Sequence, residues 1–207
     1  MSSRRGAAPV ANGNPDIVQP GTFADWSARG FGPYLLPVIP PLVLMAPGSS
    51  VPLNQRGKVP GLRGANGWHS YNWRAAPEPT ADDLARWTEM GANVGLRLGE
   101  IIAVDIDVSD SAAAQTMRMV SERTLGTSPP RIGRAPRMML LYRSAGEVTK
   151  RKVRFRLPTG EHAIEILARG QQVVVDGIHP QTLKPYAWPD GRPTLSALPE
   201  TGGFPGA

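Results

Sequence analysis

The stretch IIAVDIDV, residues 101–108, constrains the fold more than any other part of the chain. Its Ile, Ala and Val residues belong to a strand in the interior of a sheet, so the chain must fold around that sheet. Side chains in a strand alternate between faces, which puts Asp105 and Asp107 on one face, roughly 7 Å apart, and Val104, Ile106 and Val108 on the other. Two carboxylates so placed repel each other and are costly to desolvate unless a cation or hydrogen-bond donors neutralise them. A divalent metal ion would do so. An exposed strand end hydrogen-bonded to the following helix is the plainer alternative.

The 207 residues suit one domain of ordinary size with a substantial core. Gly and Pro gather at the ends, which reads as flexible tails over 1–25 and 191–207 around a domain of 26–190. A net charge of +6 favours an anionic partner. The absence of cysteine excludes disulfides and thiolate metal sites, leaving oxygen and imidazole ligands. The apolar stretch YLLPVIPPLVLMAP is interrupted by Pro37, Pro40, Pro41 and Pro47 and is too short to span a bilayer. Arg4 and Arg5 are followed by no apolar run that would make a secretory signal, so a soluble cytoplasmic protein is expected.

A short helix is expected around TFADWSARG, followed by an extended segment over 34–46 and a long loop to residue 79. TADDLARWTEMG predicts a helix, with Thr80 and Asp83 as a capping box and Gly91 closing it. Residues 93–99 and 100–108 read as a strand pair turning near Gly99, and Ser109 or Asp110 caps a second helix that stops near Gly126. RMMLLYR is a third strand, KVRFRLP and HAIEILARG form a hairpin turning at 158–160, and QQVVVDGIHP adds a last strand. The order β-β-α-β-β-β indicates an α+β fold with a mixed or antiparallel sheet.

Alternation within HAIEILARG isolates Glu165 among apolar positions, repeating the oddity of the Asp pair. On a neighbouring strand it could converge with Asp105 and Asp107 on Mg²⁺ or Mn²⁺, whose hardness calls for oxygen ligands. The plainer alternative pairs it with Arg154 or Arg156 at a sheet edge. Lys58, Arg63, Arg97, Arg131, Arg134, Arg137, Arg143 and Lys184 surround these acids in sequence, and a metal site amid cations suits triphosphate chemistry. Trp68, Tyr71 and Trp73 either stack on bases or pin their loop to the core. His179, in a tight turn, either donates to a phosphate or caps the turn. His69 and His162 read as structural or exposed.

Taken in order, RGKVPG, GWHSYNW, DLARW, GANVGLRLGEIIAVDIDV, RIGRAPRMMLLYR and AIEILARGQQVVVDGIHPQTLKPYAW resemble the N-terminal domain of bifunctional DNA primase/polymerases, of the archaeo-eukaryotic primase superfamily, over about residues 35–190. The resemblance implies an RRM-like sheet with packed helices beside an N-terminal α/β unit, the active site lying between them. It implies a metal-dependent nucleotidyltransferase that synthesises primers, extends DNA, or both, on a single-stranded DNA template during phage, plasmid or prophage-type replication. Asp105, Asp107 and Glu165 match the family's catalytic acids, which hold two Mg²⁺ or Mn²⁺ ions. Lys58 falls where the family has a basic residue near the phosphates of the nucleoside triphosphate, Arg97 lies just ahead of the acids, His179 belongs to the family's G-x-H turn, and all three are expected to bind substrate. Met139 stands where many relatives have a nucleotide-holding histidine, and Arg134 or Arg137 would take over that grip. No Walker-type phosphate loop occurs, so a replicative helicase is expected, if at all, as a separate protein. Two other readings remain: a catalytically degenerate module that binds nucleotide or single-stranded DNA, and an unrelated nucleotide-sugar transferase, which leaves Glu165 without a role.

Overall fold

The computed structural model describes residues 20–202. Its centre is a five-stranded sheet in the order β10-β6-β5-β8-β7. These strands are β5 (Ile101–Asp107), β6 (Met138–Ser144), β7 (Arg151–Leu157), β8 (Gly160–Leu167) and β10 (Glu200–Thr201). All neighbours are antiparallel except β10 with β6. A second sheet has the order β1-β4-β9, formed by β1 (Leu35–Val38), β4 (Asn93–Arg97) and β9 (Gln172–Asp176). A two-stranded ribbon, β2 (Gly61–Gly64) with β3 (Gly67–Ser70), projects from the long loop. The expected α+β class with a mixed sheet is therefore observed.

The two faces of β5 are buried against different layers. Ile101 and Ala103 join Leu96, Val173 and Val175 of the smaller sheet, along with Phe23 and Trp26, in one core. Ile102, Val104 and Ile106 pack with Ile164 and Ile166 against Ala114 and Met117 of helix α3 (Ser111–Leu125) in the other. Asp105 and Asp107 continue the face of Ile101 and Ala103. The acids thus stand on the inter-sheet face, beyond its apolar stretch, at the strand's C-terminal end.

Local signals account for the helices. In α2 (Ala81–Glu89) Thr80 and Asp83 form the expected reciprocal capping box, and Trp87 is buried. Asp110, rather than Ser109, caps α3 by accepting from the Ala113 amide. Gly126, at φ 96°, ends it in a conformation that favours glycine.

One expectation is corrected. Residues 93–108 contain both strands but no hairpin: β4 pairs with β1 and β9, β5 pairs with β6 and β8, and Leu98–Glu100 carries the chain from one sheet to the other. Each strand is apolar on both faces and occupies the centre of its own sheet, which a short connection does not prevent. Residues on either side of 26–190 pack onto the same body. Phe23 and Trp26 of the short helix α1 (Phe23–Trp26) lie in the core, as does Leu198, and β10 extends the main sheet. The carboxylate of buried Asp176 joins these ends by accepting from Trp26 Nε1 at 3.2 Å and Arg192 Nε at 2.5 Å. Residues 1–19 and 203–207, the rest of the expected tails, lie outside the described residues.

Trp68 and Trp73 are buried, so these two aromatics pin the long loop to the core. No helix among the described residues is long and apolar enough to cross a membrane.

Candidate active site

A cleft of about 340 Å³ opens where the acids emerge. It is lined by Asp105 and Asp107 from β5, Arg131, Gly133, Arg134 and Arg137 from the segment before β6, Gln172 from β9, Lys58 from the long loop, and His179 and Tyr186 from the turn after β9. Four permanent cations therefore face two carboxylates.

The two acids have different surroundings. Asp107 is nearly half exposed and meets Arg137 Nη1 at 2.6 Å. Asp105 has no hydrogen bond or ion pair with a described residue. Burial pushes its carboxyl above the usual carboxylate range; Arg131 opposes this, Asp107 and Glu165 reinforce it, and Arg137 opposes it. A half-buried carboxylate without a partner among the described residues, beside a second carboxylate on the same face, is a donor set that fits a hard divalent cation. Mg²⁺ commonly binds one or two carboxylates and completes its shell with water and substrate phosphates, so two acids suffice.

Glu165 lies directly across from Asp105, in the register Met139–Asp105–Glu165–Lys152 from β6 to β7. Its carboxylate is held by Lys152 at 2.5 Å and Lys150 at 3.3 Å. Burial raises its pKa, but these two ammonium groups outweigh burial and hold it below the usual range. Among the described residues no three His, Asp or Glu side chains gather as a metal site. The structure thus places all three acids on one face, Glu165 directly across from Asp105, but the Glu165 carboxylate is taken up by lysines rather than by Arg154 or Arg156.

Arg97 is also elsewhere: its Nη2 donates to the carbonyls of Trp73 at 2.8 Å and Ala76 at 2.9 Å, clasping the loop before α2. Lys58, Arg134, Arg137 and His179 line the cleft beside Asp105 and Asp107. The Lys58 backbone is tethered by the Gln172 side-chain amide, which donates to its carbonyl at 2.5 Å.

His179 is fixed by its own turn. Its Nδ1 accepts from the Thr182 amide at 3.2 Å, so the neutral ring carries its proton on Nε2. Burial, then Arg131, Arg134 and Lys58, lower its pKa to about 4. At neutral pH it is thus an uncharged hydrogen-bond donor in a cationic cleft.

Arg131, named only among the surrounding cations, and Tyr186, not expected at all, also line the cleft. The Arg131 guanidinium lies 4.5 Å from the centre of the Tyr186 ring and donates to the Val174 carbonyl, while Tyr186 stands edge-on to His179 with centroids 5.3 Å apart. Gly133 packs so closely here that a β-carbon would fall 2.5 Å from His179 Cδ2 and 2.6 Å from Tyr186 Cε1. The repeated arginines of RIGRAPR were a sequence signal for Arg131; nothing local marked Tyr186.

Sheet, cleft and charge together set paired carboxylates among four cationic side chains in one cleft. The chain belongs to the family of bifunctional DNA primase/polymerase N-terminal domains, whose model matches residues 33–201, from just before β1 to the end of β10. None of the curated proteins matches it. Membership points to DNA replication of the primase/polymerase type, with DNA and nucleotides as substrates.

Proposed function

We propose that the protein is a nucleotidyltransferase that adds nucleotides on a single-stranded DNA template, as primase, polymerase or both, in replication of a phage, plasmid or prophage-type element. The observation that carries this reading is unpartnered Asp105 beside Asp107 in a cleft rich in permanent cations. In it, Lys58, Arg131, Arg134 and Arg137 neutralise the triphosphate as charge develops on its oxygens, and His179 donates from Nε2 to a phosphate oxygen. Asp105 and Asp107 would hold Mg²⁺ or Mn²⁺, which when bound would lower the pKa of the attacking 3′-hydroxyl and screen phosphate charge. Glu165 can add a third carboxylate only after Lys150 and Lys152 release it. On this reading the sheet of β5–β8 with α3 is the RRM-like unit, and Arg97 supports the loop rather than the nucleotide.

Primer extension and de novo priming on single-stranded DNA with Mg²⁺ or Mn²⁺ test the proposal. Synthesis by the wild type and its loss in Asp105→Ala/Asp107→Ala, with melting behaviour retained, is the expected result; synthesis by the double variant would sink the assignment. The ion pairs that occupy Asp107 and Glu165 favour one alternative, a binding module without chemistry. That alternative predicts no synthesis, together with salt-sensitive DNA binding that survives loss of both acids.

A further inference from the structure

β7 forms the edge of the main sheet, and its register sorts its side chains by face. Arg151, Val153 and Phe155 oppose Ile166, Ile164 and His162; Lys152, Arg154 and Arg156 oppose Glu165, Ala163 and Glu161. β8 pairs in turn with β5, matching Glu165 to Asp105 and Ala163 to Asp107. Directly opposed residues share a face, so the second set of cations stands on the same face as the acid pair. Arg154 lies in the row Asp107–Ala163–Arg154, two strand spacings or about 10 Å from the acid. Only the methyl group of Ala163 stands between them in that row.

These cations differ in how firmly they are held. Lys152 holds Glu165. Arg156 meets Glu161 at 3.4 Å with both side chains more than three-quarters exposed, a weak pair. Arg154 is exposed and makes no hydrogen bond or ion pair with a described residue. Charged side chains on an edge strand also prevent sheets from pairing edge to edge. Acids would serve that purpose equally, yet β7 (RKVRFRL) carries four cations and no acid.

Building on the function proposed above, we infer that the Lys152–Arg154–Arg156 face of the β7–β8 hairpin is the track that carries the phosphate backbone of the single-stranded DNA template past Asp105 and Asp107. Phe155, the one aromatic residue of β7, faces the other way, so this contact reads phosphate rather than base and is independent of sequence. Arg154 makes the principal contact and Arg156 a second, exchanging Glu161 for a phosphate.

The test is fluorescence anisotropy of a labelled single-stranded oligonucleotide over a salt series, in EDTA and without nucleotide, with nucleotide binding measured separately. Arg154→Ala should weaken DNA binding roughly three- to tenfold at low salt and reduce the slope of log K against log salt by about 0.7, the value for one phosphate contact on a single strand. Arg154→Ala/Arg156→Ala should reduce it by about twice that. Arg63→Ala, an exposed cation on the β2–β3 ribbon, should change neither. An unchanged slope in the β7 variants, or an equal loss in Arg63→Ala, overturns the track while leaving the proposed function standing if nucleotide and DNA still bind. A wild type that binds no single-stranded DNA overturns both.

Discussion

Replacing Asp105 by Asn should stabilise the metal-free protein. The carboxylate is half-buried, has no hydrogen-bonding partner among the described residues, and stands on one strand face with Asp107. Repulsion between charges about 7 Å apart is about 2.4 kcal/mol at an effective dielectric constant near 20. Arg131 and Arg137 offset much of this, and burial without a partner adds about 1–3 kcal/mol. Asn keeps the shape and polarity but removes the charge, so the expected net gain is about 1–2 kcal/mol. For a chain of this size that corresponds to roughly 2–8 °C in Tm. Thermal melts of both proteins in EDTA at pH 7.5 would measure it. The pH dependence has a definite sign: a carboxyl whose folded-state pKa is raised binds more protons folded than unfolded, so its penalty is absent below about pH 3.8 and grows as pH rises above it. The two proteins should therefore converge near pH 4. Added Mg²⁺ should raise the wild-type Tm and leave that of the variant nearly unchanged. A wild type as stable as Asp105→Asn in EDTA at pH 7.5 would refute the reasoning, because Asp105 would then have a compensating partner.

Gly133→Ala should keep the fold but displace His179 and Tyr186, weakening nucleotide binding at least tenfold, about 1.4 kcal/mol, as measured by calorimetric titration. Arg97→Ala removes two charge-assisted hydrogen bonds to the loop; a loss of about 2 kcal/mol in urea unfolding is expected, with nucleotide affinity unchanged within about twofold. For His179, neutrality in the fold contributes stability that is complete above about pH 6.5 and is lost as pH falls toward 4. Discounted for partial solvent screening, it amounts to about 1–2 kcal/mol, so denaturation across that window should show wild type losing more stability than His179→Gln.

The acid strand was legible because a period of two places Asp105 and Asp107 on one face wherever the strand lies. The caps of α2 and α3 were legible because Thr80 and Asp110 act within a single turn of chain. Pairing between strands was not, since β4 and β5 are both apolar enough to occupy the centre of a sheet and nothing in residues 98–100 decides between a hairpin and a crossing. Arg97 illustrates a second limit: proximity to the acids in sequence does not place a side chain, and the strand carries it to the loop. The partners of Glu165, by contrast, follow from register. Once the β7–β8 hairpin closes with Leu157 opposite Gly160, pairing residue by residue puts Lys152, and neither Arg154 nor Arg156, across from Glu165. Tyr186 lies beyond any such count, because it reaches the cleft through the bridges of Ile132 to Ala187 and Ile178 to Pro185.

The ion pairs around the acids bear on how the site changes when substrate arrives. Arg137 holds Asp107, and Lys150 and Lys152 hold Glu165, so without ligand each of these carboxylates is balanced by protein cations while Asp105 is not. The exposed portions of these pairs are weak in water and readily exchanged. On the proposed reading, an incoming triphosphate or DNA phosphate competes for the same guanidinium and ammonium groups, and each exchange exposes a carboxylate to a divalent ion. Metal and phosphate then bind with positive coupling without any displacement of the sheet, because each relieves the charge that the other leaves uncompensated. The coupling is reciprocal, so Mg²⁺ must tighten nucleotide binding by the same factor as nucleotide tightens Mg²⁺ binding. Arg137→Gln, which frees Asp107 beforehand, should diminish that factor in paired titrations, and an undiminished factor would show that the Arg137–Asp107 pair takes no part in the exchange.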